Sequence, residues 1–176
     1  YELLYPDGSK RIFARATPGI TTRKVFMTQV IDPAGNSVRI NYDAQFRITN
    51  IVDAIGQATV FSYLHPTDSM KITKVTDPFR RFALFQFEPN GLRRLTNIID
   101  QIGLNSSFHY SNSTDFIQGM TTPYGTTRFL AGESGRARWL EMTDPNGDTE
   151  RVEFTESISV GIPNSLPPAV VPTGMF

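Results

Sequence analysis

His65 and His109 are the chain's only imidazoles, and imidazole is the side chain best suited to bind a metal or move a proton near neutral pH. His65 precedes Pro66 in a turn, and His109 precedes Tyr110 inside a strand. A metal held by this pair still needs a third ligand. Asp68 and Ser69 lie near His65 and could mimic a hydrolase triad, but no G-x-S-x-G elbow accompanies them. Asp115, Glu133, Glu141 and Glu153 could be paired for glycoside hydrolysis, yet sequence places no two of them the required roughly 5–9 Å apart. Glycine-rich phosphate loops are absent. Cysteine is absent too, which removes thiol nucleophiles, disulfides and Cys-based zinc sites. Recurrent acids at Asp32, Asp53, Asp77, Asp100 and Asp144 suggest calcium at first sight. Calcium needs several oxygens converging from closely spaced acids, and each of these turns supplies one, so a turn-forming role is preferred. Arg80-Arg81, Arg93-Arg94 and Arg136/Arg138, with tyrosine rings, could bind sugars or polyanions. Solvated turns and packed rings are the simpler reading. No catalytic, cofactor-binding or metal residue is assigned, no cofactor is expected, and the chain is read as a non-enzyme.

The acids belong to a repeat, and repeats decide the architecture. Asp32-Pro33-Ala34-Gly35 recurs as Asp53-Ala54-Ile55-Gly56, Asp77-Pro78-Phe79-Arg80 and Asp100-Gln101-Ile102-Gly103. Thr122-Pro123-Tyr124-Gly125 and Asp144-Pro145-Asn146-Gly147 complete six copies at intervals of 21 to 24 residues. Ten residues after each turn begins stand Tyr42, Tyr63, Phe87, Tyr110 and Phe154, the fifth copy alone departing with Phe129 three places early. Eight residues after it stand Ile40, Phe61, Phe85, Phe108, Leu130 and Val152. Positions eight and ten share one face of a strand, because side chains alternate with period two. Val30, Ile51, Val75, Ile98, Met120 and Met142 precede the turns by two places. Met27, Ile48, Ile72, Leu95, Ile117 and Trp139 precede them by five.

Each copy therefore reads as apolar strand, polar turn, apolar strand. Asp accepts local backbone N–H bonds, Pro presets φ, and Gly supplies positive φ at little cost. Gly35, Gly56, Gly103 and Gly147 are expected to share a positive-φ conformation, while Arg80 implies a different or strained turn. A second turn follows the aromatic, as in Tyr42-Asp43-Ala44-Gln45 and Phe87-Glu88-Pro89-Asn90-Gly91. Turns alternating at this short spacing predict antiparallel β-structure, and no stretch carries the apolar spacing of a helix. Residues 1–26 read as a partial repeat and loop, with Ala14–Arg23 as the loop, and 27–156 as six hairpin repeats. Residues 157–176, carrying Pro163, Pro167, Pro168 and Pro172, read as a tail or linker. Ile40, Phe61, Phe85, Phe108 and Val152 are expected to be largely buried, with the position-ten rings stacked in a ladder.

With 176 residues and 39% hydrophobic content, the chain can bury one sizeable core. Lys+Arg and Asp+Glu both number 17, a balance that argues against a nucleic-acid surface or polybasic anchor. No apolar run is long enough to span a bilayer. Because the chain starts at Tyr1, it is expected to be a fragment or processed product.

The stretch Asp32-Pro33-Ala34-Gly35-Asn36, Tyr42-Asp43, Arg47-Ile48-Thr49 and Val52-Asp53 resembles the RHS/YD-repeat family, and the likeness covers about residues 27 to 156. The intact Tyr-Asp pair occurs at Tyr42-Asp43, with Phe87-Glu88 as a conservative version. The resemblance implies all-β structure, with repeated antiparallel hairpins stacked into a long curved sheet that forms part of a β-shell. It further implies a structural segment of a large secreted or cell-surface protein whose shell encloses or presents a toxin or adhesion domain. Expected partners are the remainder of the parent polypeptide or further copies through sheet edges, and an encapsulated toxin domain. No segment matches the family's self-cleaving protease region, so no catalytic residue is transferred. The alternative is a carbohydrate-binding module using exposed aromatics.

Overall fold

The computed structural model describes residues 1–19, 23–112 and 114–155. Among them every regular element is a strand, each antiparallel to its neighbours, and sheet order equals chain order through fourteen strands. The chain is an all-β meander of hairpins. It divides into two compact units, Tyr1–Phe108 and His109 onward. The expected tail, 157–176, lies outside the described residues.

The first unit contains β1 (Glu2–Leu4), β2 (Lys10–Ala16), β3 (Val25–Ile31), β4 (Ser37–Tyr42) and β5 (Ile48–Val52). It continues with β6 (Ala58–Ser62), β7 (Lys74–Thr76), β8 (Phe82–Phe87), β9 (Leu95–Asp100) and β10 (Asn105–Tyr110), whose end crosses into the second unit. Ala14, Ala16 and Arg15 belong to β2 rather than to a loop, because a register shift around Phe13 lets β2 keep pairing with Val25 and Phe26.

Register sets one face. Val30 opposes Val38, Ile40 opposes Ile51, Phe61 opposes Val75, and Phe85 opposes Ile98. Alternation carries this apolar row from strand to strand. The row is half-buried apart from Val38, which is exposed, and no apolar side chain among the described residues is fully buried. The expectation of a largely buried core is thus corrected. A domain core forms between two packed layers, and the hairpins supply one. Similar bulges recur where β4 meets β5 and β8 meets β9, opposite Ile48-Thr49-Asn50 and Leu95-Thr96-Asn97, and they turn Tyr42 toward Ile48 and Phe87 toward Leu95.

The second unit contains β11 (Ile117–Thr122), β12 (Gly125–Ser134), β13 (Ala137–Thr143) and β14 (Thr149–Thr155). Gly132 directly opposes Trp139, and the indole lies where a Cβ on Gly132 would sit. Only glycine allows a ring to close over the strand at that point. Arg151 covers the indole at 4.3 Å. Val152 is 70% exposed and Phe154 60% exposed, because among the described residues β14 pairs with β13 alone.

Candidate functional site

The repeat turns are built by their own acids. Asp53 Oδ1 accepts from the backbone N–H of Ile55 and Gln57 at 3.0 and 2.8 Å. Asp77 binds Phe79 and Arg81, Asp100 binds Ile102 and Leu104, and Asp144 binds Asn146 and Asp148 in the same way. Asp32 accepts from the backbone and side chain of Asn36. The carboxylates are thereby engaged inside their own turns, and no three potential ligands converge on a metal position among the described residues.

Gly35, Gly56, Gly103 and Gly147 have φ of 89°, 87°, 88° and 94°, as expected. Arg80 keeps the same turn, its N–H donating to Asp77 O at 3.1 Å, and does so at φ 68°. A side chain in this region is strained. Gly125 departs from the series: its φ is 126° and it pairs with Thr122, leaving a two-residue loop of Pro123-Tyr124. Thr122 lacks the carboxylate that closes the longer turn.

The position-ten aromatics do not form the expected ladder. The Tyr42 hydroxyl donates to Met27 O, and the Tyr63 hydroxyl donates to Ile48 O, both at 2.7 Å. Each ring clasps the open end of its own hairpin, opposite the Asp turn. Partial burial pushes both hydroxyls above the ordinary tyrosine value. Phe87 has no hydroxyl and meets His65 edge-on with centroids 5.9 Å apart. Tyr110 is half-buried at the end of β10, and Phe154 is exposed on β14.

His65 is the one buried polar residue among those described. Its Nδ1 accepts from the N–H of Thr67 at 3.3 Å and Asp68 at 3.0 Å. Its Nε2 lies 3.0 Å from Glu88 O, a carbonyl that can only accept, so Nε2 carries the proton. Both ring nitrogens are thus engaged with backbone. His65 and Asp68 meet through the Asp68 N–H, while the Asp68 carboxylate faces its own turn and Arg93, 3.8 Å away. His109 is exposed and belongs to the second unit. The geometry therefore offers His65 as a fastener between two loops, 63–73 and 88–94.

Other groups reinforce that fastening. Thr67 Oγ1 donates to Pro89 O at 2.9 Å. Arg47 bonds the Asp43 carboxylate at 2.7 Å, donates to Ser69 O at 2.6 Å, and lies 4.6 Å from the Tyr63 ring centre. Arg94 grips Glu88, with its shortest contact at 2.5 Å. Asp43 is partly desolvated, which raises its pKa, but hydrogen bonds from Arg47 and Gln45 outweigh this and hold it below the usual carboxylate value. The Arg94 side chain, then its N–H, hold Glu88 below the usual value as well. Sequence reasoning placed His65 in a turn and offered Arg94 as a sugar or polyanion binder rather than as the partner of Glu88, and it missed Thr67 and Arg47; for Arg47 the recurring acid-then-Arg spacing at Asp43/Arg47 and Asp77/Arg81 was the available signal.

Two open hollows lie on the first unit. One of about 310 Å³ is apolar apart from Lys71, with Met70, Ile72, Val75, Phe85, Phe87 and Leu95 around it. The other, about 360 Å³, is bordered by Arg15, Gln29, Arg39, Asn41 and Tyr42. Neither holds a convergent set of catalytic groups. Comparison with protein-family models and with curated proteins found no match for this chain.

Proposed function

We propose that the chain is a structural segment of the RHS/YD-repeat type, forming wall in a large secreted or cell-surface protein that encloses or presents a toxin or adhesion domain. It works by enclosure and performs no chemistry of its own. One observation carries this reading: the first unit presents a continuous apolar row from Val30 to Ile98 with no second layer over it among the described residues. An apolar face of this extent calls for cover from outside the hairpins. A shell wall finds that cover in an enclosed domain or in further repeats. Among the described residues β1 pairs with β2 alone and β14 with β13 alone, and such edges suit pairing with the remainder of the parent polypeptide or with further copies.

The test is electron microscopy of a polypeptide that carries this segment together with its neighbouring repeats. A hollow particle with the Phe61–Phe85 face turned inward is expected. A solid particle, or that face turned to solvent, would overturn the reading. The carbohydrate-binding alternative rests on Phe79 and Tyr124, which are 65% and 88% exposed. Phe79 carries Arg81 5.4 Å from its ring centre, as Tyr63 carries Arg47 and Phe46 carries Arg15, which leaves Tyr124 as the ring this alternative depends on. A glycan array probed with the purified chain separates the two readings, since only the alternative expects a binding signal that Tyr124→Ala abolishes.

A further inference from the structure

The tripeptide Pro-Asn-Gly occurs twice, at Pro89-Asn90-Gly91 and Pro145-Asn146-Gly147. Asn-Gly is the dipeptide most open to succinimide chemistry, because glycine puts no side chain in the path of its own nitrogen. Identical local sequence means that a difference between the two sites must come from the fold. Both asparagines are exposed, so access to water does not separate them.

Hydrogen bonding separates them. The Gly147 N–H donates to Asp144 O at 3.1 Å, and the Asn146 N–H donates to Asp144 Oδ1 at 2.8 Å. The Asp148 N–H donates to the same carboxylate oxygen at 2.9 Å. The nitrogen that must attack is thus committed, and the turn around it is braced on both sides. At the other site, no backbone hydrogen bond from Asn90 or Gly91 occurs among the described residues. The loop is closed more widely, by Glu88 N–H to Arg94 O at 2.9 Å and Arg94 N–H to Glu88 Oε2 at 3.2 Å. Gly91 has φ 69°, and no atom lies within 4 Å of where its Cβ would be.

We infer that Asn90 is a self-modifying site, converting through a succinimide to aspartate and isoaspartate, while Asn146 is protected by its Asp144 turn. The Gly91 nitrogen attacks Asn90 Cγ, and a C–N bond forms. The side-chain amide C–N bond breaks, and ammonia leaves carrying the proton from Gly91. Water then opens the five-membered imide at either carbonyl. One opening restores the ordinary backbone as aspartate, and the other routes the chain through Cγ as isoaspartate. No oxidant, reductant or enzyme enters the balance. Either product places a new carboxylate in the loop that carries Arg93 and Arg94, and Arg93 Nε is buried there with no hydrogen-bond partner among the described residues.

The experiment incubates the folded chain in mildly alkaline buffer, with circular dichroism confirming that it stays folded. A parallel sample is held in denaturant. Peptide mapping by mass spectrometry, with an isoaspartate-specific methyltransferase assay, follows both asparagines. In the folded sample Asn90 should convert roughly tenfold or more faster than Asn146, since release of Gly147 requires the braced turn to open. In denaturant the two rates should converge. Asp144→Ala should raise the folded-state rate at Asn146 toward that at Asn90. Equal rates in the folded chain, a faster Asn146, or no folded-state conversion at Asn90 while the denatured sample reacts would each overturn the inference.

Discussion

Along one rim of the first unit, the hairpins β3/β4, β5/β6, β7/β8 and β9/β10 end in the same five-residue turn, and each turn is closed by its own first residue. Along the other rim the connections span 17–24, 43–47, 63–73 and 88–94, no two alike in length. There 43–47 is again a five-residue turn closed by its first residue, Asp43, while the longer loops 63–73 and 88–94 are tied to each other through His65 and Glu88 O and Thr67 and Pro89 O, and Arg47 reaches Ser69 O. A turn that satisfies its own backbone can be copied down a chain without reference to its neighbours. A long loop carries more unpaired backbone groups and must borrow partners, so its side chains become individual.

The largest effect should come from the borrowed partners. His65→Ala removes an acceptor for two N–H groups, a donor to Glu88 O and the edge contact with Phe87. A loss of about 2–4 kcal/mol is expected in urea unfolding. If the loss is no larger than that of a single repeat-turn substitution, the contrast between the rims fails. Asp53→Ala should cost less, about 1–2 kcal/mol, for the loss of two carboxylate-to-backbone bonds. Asp100→Ala should match it, and the double variant should equal the two combined to within about 0.5 kcal/mol, because the turns share no partner. Strong coupling between them would show that this rim is cross-tied as well.

Smaller still is the expected gain from Arg80→Gly. It relieves a left-handed backbone at φ 68° but loosens the unfolded chain. A net stabilisation of about 0.5–1 kcal/mol should appear as a raised Tm. A drop would mean that the Arg80 side chain holds the turn in a way the backbone does not.

Acid should have the smallest effect per group, and its sign is fixed. Asp7, Asp32, Asp43, Asp77 and Glu88 all sit below their ordinary values. Each favours the folded state above the unfolded-chain value, and that contribution fades as pH falls through the lowered folded value. A pH series of thermal melts should therefore decline below about pH 4, the ordinary carboxylate range. Stability that is flat or rising through that range would contradict the assignment of these acids as native hydrogen-bond acceptors.

The Asp turns were legible because everything that makes them lies within five residues: an acid, a φ-permissive residue and the next strand. Arg80 was legible as an irregularity for the same reason. The position-ten rings were found by spacing, but their work was not, because the acceptors of Tyr42 and Tyr63 are main-chain carbonyls on the neighbouring strand. Carbonyls leave no mark in a list of side chains. His65 was harder again, since Glu88 lies 23 residues away and it too offers its backbone. The failed burial of Val152 follows from β14 pairing on one side only among the described residues, which no period within β14 encodes.

Trp139 gives the second unit an optical property of its own. It is the chain's single tryptophan, closed over Gly132 on one side and capped by Arg151. Its emission therefore senses β12, β13 and β14 opening, and no residue of the first unit contributes indole signal. Far-ultraviolet circular dichroism sums over strands of both units. Overlaid melts from these two signals would reveal whether the two units lose their structure at one temperature or at two, with no label attached and no residue changed.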